Sequence, residues 1–333
     1  MAKRRLTNKQ ERRIAQKQKS LITEDTADAL DLNSTTNGTV ISHFGKQLIV
    51  ETDDKSTYKC KLRQNLGDIA CGDNVLIKTD ETSDSPDSVV VAINERRNLL
   101  EKTGFGGKAK PVAANIDQVV IVCSVEPEPN HYLIDRYLVA TENLPAKPII
   151  VLNKIDIDST NKTRIINELQ AVYETIGYNV ILTSIKSIIG LEELNAMLEN
   201  ATSIFVGLSG VGKSSLAQAF LPDTEIRIGK TSESTGEGKH TTTVSSLYHL
   251  ENGGHLIDSP GVRDFTPNKT SKQEIEHGFT ELRKYLGLCK FSNCTHEHEP
   301  GCAILDALKK NEVTLNRVNS FKKMLSESET ASI

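Results

Sequence analysis

Eight consecutive residues, Gly207-Leu208-Ser209-Gly210-Val211-Gly212-Lys213-Ser214, have the spacing of a phosphate-binding loop. The glycines let the backbone bend so that successive N–H groups point at phosphate oxygens, aided by the N-terminus of the helix that follows. Lys213 is placed to reach the β and γ phosphates, and the Ser214 hydroxyl to ligate Mg²⁺. A structural glycine turn would account for the glycines but not for Lys213 followed directly by Ser214. Upstream, Asn153-Lys154-Ile155-Asp156 closes an apolar stretch. A carboxylate at Asp156 can accept from both N1–H and the N2 amino group of guanine, and adenine offers no such donor pair on that edge. Asn153 and Lys154 would brace the ring and the loop, and Thr183-Ser184-Ile185 is placed to buttress the base.

Asp258-Ser259-Pro260-Gly261 follows apolar Leu256-Ile257, which puts the Asp258 carboxylate beside Mg²⁺ and the Gly261 N–H toward a γ-phosphate. Between this turn and the phosphate loop, residues 229–243 are rich in Gly, Ser and Thr. Within them, Gly238-Lys239-His240-Thr241-Thr242-Thr243 offers Thr242, or else Thr241, as a further metal hydroxyl. Val262 occupies the position where Ras-like enzymes carry the glutamine that orients the attacking water, so intrinsic hydrolysis is expected to be slow. His240 is the candidate to replace that glutamine once a partner orders the loop, and an ordinary loop histidine fits the same residues. An ATPase acting on small molecules is disfavoured by Asp156.

A second constellation lies near the C-terminus. Cys289, Cys294, His296 and Cys302 supply three thiolates and one imidazole, a saturated tetrahedral set for one structural Zn²⁺. His298 is the alternative imidazole. The surrounding Asn293, Thr295, Glu297, Glu299 and Pro300 give these cysteines no apolar frame, which argues against plain core cysteines.

The elements that must position these residues follow from periodicity. Residues 39–41, 47–51, 57–62, 74–78 and 88–93 read as five short strands, broken at Gly45, Asp53-Asp54, Gly67-Asp68, Gly72-Asp73 and Ser85-Pro86, and suggest a small closed barrel. Phe44 and Tyr58 are its only aromatics, so shape or phosphate contact is favoured over base stacking. Residues 95–111 combine Arg96, Arg97, Lys102, Lys108 and Lys110 with Gly104, Gly106 and Gly107 and read as a flexible basic linker. Beyond them, strands at 116–125, 148–152, 179–182 and 203–206 alternate with helices at 132–143, 160–176, 191–200 and 215–221, the pattern of a mostly parallel α/β sheet. Ligand sites in such sheets sit at the carboxyl ends of the strands, where every nucleotide motif falls. Helices at 272–286 and 303–325 flank the cysteine cluster.

Charge is unevenly placed. Residues 1–20 carry eight cations, Lys3, Arg4, Arg5, Lys9, Arg12, Arg13, Lys17 and Lys19, against Glu11 alone, in a chain of net charge −4. Such an arm suits salt-sensitive, sequence-blind contact with nucleic acid phosphates, or serves as a solubilising tail. No apolar run approaches the roughly 20 residues needed to span a bilayer, and no apolar secretory stretch opens the chain, so a cytoplasmic protein is expected.

The combination resembles the ribosome small-subunit-dependent GTPase A family of bacteria, the circularly permuted GTPases of late small-subunit assembly. The resemblance rests on the order of the motifs: Asn153 to Asp156, then Gly207 to Ser214, then Gly238 to Thr243, then Asp258 to Gly261, then the Cys/His cluster, with a barrel in front. Ala114-Asn115-Ile116-Asp117-Gln118 and Ile134-Asp135-Arg136-Tyr137-Leu138 resemble that family's entry into its GTPase domain. It implies a basic arm (1–35), an OB-fold (36–98), a linker (99–112), a circularly permuted GTPase domain (113–268) and an α-helical zinc-binding domain (269–333). It also implies a monomer that binds GTP and GDP, docks on the small subunit and its 16S rRNA, and hydrolyses GTP when that subunit stimulates it. The rival reading is an RNA-binding module that uses GTP only as a slow conformational switch.

Overall fold

The computed structural model describes residues 35–44, 47–63, 66–79, 88–103, 109–222, 245–258 and 270–330. The chain divides into two units, one of residues 1–115 and 240–248, the other of residues 116–239 and 249–333.

In the first unit, strands β1 (Thr35–Phe44), β2 (Gln47–Thr52), β3 (Thr57–Leu62), β4 (Asn74–Lys78) and β5 (Ser88–Ile93) pair in the cycle β1-β2-β3-β5-β4-β1, a closed five-stranded barrel. Only β3 and β5 run parallel. Alternate residues point inward, so Leu48 and Val50 of β2 and Val75 and Ile77 of β4 join Val40, Cys60, Ile69 and Val90 in the core. Buried Asp73 is matched by Arg96, whose Nε and Nη2 donate to its two carboxylate oxygens at 2.6 and 2.7 Å. Arg97 N–H and Gly72 C=O are both held by the Asn115 side chain.

The basic segment expected as a flexible linker is instead an antiparallel hairpin, β6 (Leu99–Thr103) with β7 (Ala109–Ala114). Its basic composition hides an apolar face, because Leu100, Val112 and Ala113 are buried. A late strand, β12 (Ser245–His249), pairs antiparallel with β1 through Ser42↔Ser246 and His43↔Ser245.

The second unit is built on parallel strands in the order β10 (Asn179–Leu182), β9 (Lys147–Asn153), β8 (Gln118–Ser124), β11 (Thr202–Val206), β13 (His255–Asp258). Every residue of β8 is buried, as its unbroken apolar run requires of a strand covered on both faces. The chain moves outward from β8 to β10 and then returns to β11 on the other side of β8. That reversal opens a crevice beyond the carboxyl ends of β8 and β11. Four helices follow the strands: α1 (His131–Glu142), α2 (Lys162–Tyr173), α3 (Leu191–Leu198) and α4 (Lys213–Phe220).

The C-terminal region forms α5 (Lys272–Gly278), α6 (Ala303–Lys309) and α7 (Leu315–Thr330). Both helices expected around the cysteines are shorter or broken. The one expected over 272–286 ends at Gly278, where a Cβ would lie 2.6 Å from the Val139 Cα of α1. The one expected over 303–325 is two helices. Asn311 takes the left-handed conformation (φ 58°), and the Glu312 N–H reaches back 3.0 Å to the Ala307 carbonyl, a Schellman closure that ends α6. Val139, Ile275, Phe279, Leu282, Ile304, Val318 and Phe321 share one core. Among the described residues no helix is long and apolar enough to cross a membrane.

Candidate nucleotide site and metal centre

The loop Gly207 to Gly212 joins β11 to α4 at the crevice, and its glycines are required where they stand. Gly207 (φ 136°) passes so close to β8 that a Cβ would sit 2.1 Å from the Val122 carbonyl oxygen, and Gly212 (φ 98°) so close to β9 that one would sit 2.3 Å from Asn153 Nδ2. Gly210 (φ 82°) has open space but a backbone that side chains rarely adopt. Lys213 is buried, and its ammonium donates to the carbonyls of Gly207 and Leu208 at 2.8 and 2.6 Å. Leu208 and Ser209 are exposed, and Val211 is buried beneath the loop. Ser214 lines one cleft with Lys213 and Asp258, the last residue of β13.

The segment Asn153 to Asp156 is wired to this loop. Asn153 Nδ2 donates to the Val211 carbonyl at 2.9 Å while its Oδ1 accepts from Thr183 Oγ1 at 3.1 Å. Lys154, at φ 62°, donates to the Gly210 carbonyl at 2.5 Å. Ser184 Oγ donates to Asp156 Oδ1 at 2.6 Å and accepts from the Ser187 N–H at 3.1 Å. The Ser184 hydroxyl is the main reason that the Asp156 carboxyl lies below the usual range, and it leaves the second carboxylate oxygen for a donor edge. The structure therefore brings Asn153, Lys154, Asp156, Ser184, Gly207 to Ser214 and Asp258 to the strand ends of one sheet. His240, Thr241, Thr242, Gly261 and Val262 lie outside the described residues.

Cys289, Cys294, His296 and Cys302 converge, with one ligand atom from each within 4.8 Å of the others. A tetrahedral cation at about 2.3 Å from sulfur and about 2.0–2.1 Å from nitrogen sets sulfur–sulfur distances near about 3.8 Å and sulfur–nitrogen distances near about 3.5 Å. Here Cys289 Sγ and Cys302 Sγ are 3.9 Å apart, and His296 Nδ1 lies 3.6, 3.6 and 3.3 Å from the sulfurs of Cys289, Cys294 and Cys302. The donor set fits one tetrahedral metal ion. His298 is exposed and is not among the converging groups. Glu299 shapes the loop: its carboxylate accepts from Thr295 N and Oγ1, Glu297 N and His298 N, and the Thr295 bonds, the hydroxyl first, hold its pKa far below the usual carboxylate range.

The model of the RsgA GTPase family matches residues 93–268. A small ribosomal subunit biogenesis GTPase RsgA of Marinobacter nauticus is 42% identical over 344 residues, covering 98% of this chain and 97% of that protein. Its counterpart from Pseudomonas aeruginosa is 41% identical over 334 residues, covering 98% of each. The chain belongs to the RsgA GTPase family. Among solved structures, YjeQ from Thermotoga maritima superposes with a TM-score of 0.70 at 32% identity, covering 88% of this chain and 98% of that one. YloQ, a circularly permuted GTPase, superposes with a TM-score of 0.68 at 26% identity, covering 89% of this chain and 96% of that one. As a member of that family the protein is a permuted GTP hydrolase, and the placement of Asn153 to Asp156 ahead of Gly207 to Ser214 is the chain order of the sheet just described.

Sequence reasoning missed one polar cluster in this RsgA-family GTPase. Arg317 of α7 is wholly buried and donates to Asp135 of α1 at 2.7 Å and to both oxygens of Glu281 at 2.7 and 3.0 Å. It also lies over the Phe279 ring, 4.2 Å from its centroid. Tyr173 of α2 donates to the same Asp135 oxygen at 2.9 Å. Burial opposes the guanidinium charge, but Asp135 and Glu281 more than offset it and raise its pKa. Asp135 and Arg317 are 182 positions apart, and no local pattern links them.

Proposed function

We propose that this GTPase acts in late maturation of the small ribosomal subunit, binding the subunit and its 16S rRNA as a cytoplasmic monomer, with hydrolysis stimulated by the subunit and coupled to release. The observation that carries the reading is the direct wiring of the guanine-selecting segment to the phosphate loop, Asn153 to Val211 and Lys154 to Gly210, in a chain whose relatives are named for small-subunit biogenesis.

In this reading the backbone N–H groups of Gly207 to Ser214 hold the phosphates, and Lys213 exchanges its loop carbonyls for β and γ oxygens. Asp156, oriented by Ser184, selects guanine. Ser214, Thr242 and Asp258 hold Mg²⁺, which would neutralise charge developing on the phosphates, and the Gly261 N–H meets the γ-phosphate. His240 orients the attacking water. The Cys289, Cys294, His296, Cys302 set holds a structural Zn²⁺, because four protein donors leave no open coordination position.

GTP turnover with and without purified small subunits tests the function. Stimulation of at least about a hundredfold is expected if a partner completes the water-orienting set. Unchanged turnover in the presence of bound subunits would favour an RNA-binding module with a slow nucleotide switch.

A further inference from the structure

The loop after β10 places two large aliphatic side chains in water beside the guanine site. Ile188 is 80% exposed and Ile189 45%, and Ile188 holds a left-handed backbone (φ 54°) that a β-branched residue tolerates poorly. Asparagine or glycine would fit that conformation without strain, so neither the folding of the turn nor its solubility accounts for isoleucine there.

The turn is nevertheless rigid. Ser184 and Ile189 exchange both backbone hydrogen bonds at 3.0 Å, the Ser187 N–H is held by Ser184 Oγ, and that same hydroxyl is bonded to Asp156. Gly190, at φ 66°, closes the turn so tightly that a Cβ would lie 1.9 Å from the Leu182 carbonyl oxygen. A fixed pair of aliphatic knobs loses little conformational entropy when it inserts into a pocket.

The rim identifies the occupant. Directly after the turn, Glu192 and Glu193 stand exposed in the first turn of α3, while Lys186 is the one cation within residues 184–193. Carboxylates flanking bare isoleucines repel a phosphate backbone and complement lysine or arginine. We propose that the Ile188–Ile189 apex docks into an apolar pocket with a cationic rim on a protein partner. The proposal rests on the small-subunit reading above, and the partner is then a basic protein component of that subunit.

Two measurements test it. The first is the affinity of the full-length protein for purified small subunits with a non-hydrolysable GTP analogue, for wild type and Ile188→Asn, over a range of salt. Asparagine suits φ 54°, so the variant is expected to fold, bind GTP and hydrolyse it without subunits as wild type does. Its subunit affinity is expected to fall about tenfold with an unchanged salt slope. Affinity within twofold of wild type, or a slope reduced as for a lost phosphate contact, would overturn the proposal. The second places a photoreactive benzophenone side chain at position 188. Crosslinks to a small-subunit protein support docking; crosslinks to 16S rRNA, to a second copy of this chain or to nothing overturn it. If wild type itself fails to bind subunits, the functional reading falls and this proposal with it, an outcome distinct from wild-type binding that is indifferent to Ile188.

Discussion

At the scale of single residues, the guanine site proposed around Asp156 depends on side chains that hold other side chains. Asp156 is only half-buried and would be a mobile carboxylate without Ser184, which fixes one oxygen and leaves the other to accept. Ser184→Ala is expected to weaken GDP binding roughly fivefold, measured by titration with a fluorescent analogue, while hydrolysis per bound GTP stays near wild type. The pH dependence has a definite sign. The folded-state pKa of Asp156 is depressed, so the acceptor role proposed for it is present at neutral pH and is lost as pH falls through that pKa. Removing the Ser184 hydroxyl raises the pKa, so the acid limb of the GDP-binding profile should move to higher pH; an unmoved limb would mean that Asp156 does not read the base. Gly212 supplies a steric counterpart. With a Cβ only 2.3 Å from Asn153 Nδ2, Gly212→Ala must displace either the phosphate loop or the guanine segment, and nucleotide affinity should fall by more than about a hundredfold, read by the same titration. These dependencies were legible in type but not in detail. The spacing of Asn153, Lys154 and Asp156 suggests guanine recognition, whereas the bond from Ser184 to Asp156 spans 28 positions and rests on strand register.

At the scale of elements, legibility followed periodicity and stopped where tertiary contact took over. The barrel strands and the parallel strands fall within a few residues of their apolar patterns, because alternation and unbroken runs are dictated by which faces are covered. The helix expected over 303–325 breaks because Asn311 adopts a left-handed cap, and the apolar rhythm runs through that break without a mark. The hairpin over 99–114 was obscured by its lysines and glycines. The buried Arg317 had no local signal at all, yet it joins α7 to α1 and, through Asp135, to Tyr173 of α2. Arg317→Ala would strand Asp135 and Glu281 without their cation, at a cost of about 3–5 kcal/mol. A fall in thermal midpoint of several degrees is expected, together with faster hydrogen exchange in α1; an unchanged midpoint would show that the two carboxylates find other partners or protonate at little cost.

At the scale of the whole molecule, the cysteine cluster does not stand apart from the nucleotide-binding sheet. Cys302 and the half-buried Cys289 and Cys294 border the same core as Phe279, Phe321 and Val139, and Val139 belongs to α1, whose neighbour β8 borders the phosphate loop. His296 packs against Phe321, with ring centroids 5.8 Å apart. The effect of metal loss should therefore spread beyond residues 270–330. Metal binding energy is folding energy for a site assembled from four converging protein donors. Cys294→Ala is expected to lower bound zinc from one per chain to well below half, by elemental analysis, and to lower the thermal midpoint by about 5 °C or more. Amides of α1 should lose exchange protection together with those of α5 and α7, while the core strands of the barrel, β2 and β4, keep theirs because their apolar cluster is separate. Protection lost only within residues 270–330 would show that this region folds independently, and full retention of zinc would remove Cys294 from the ligand set.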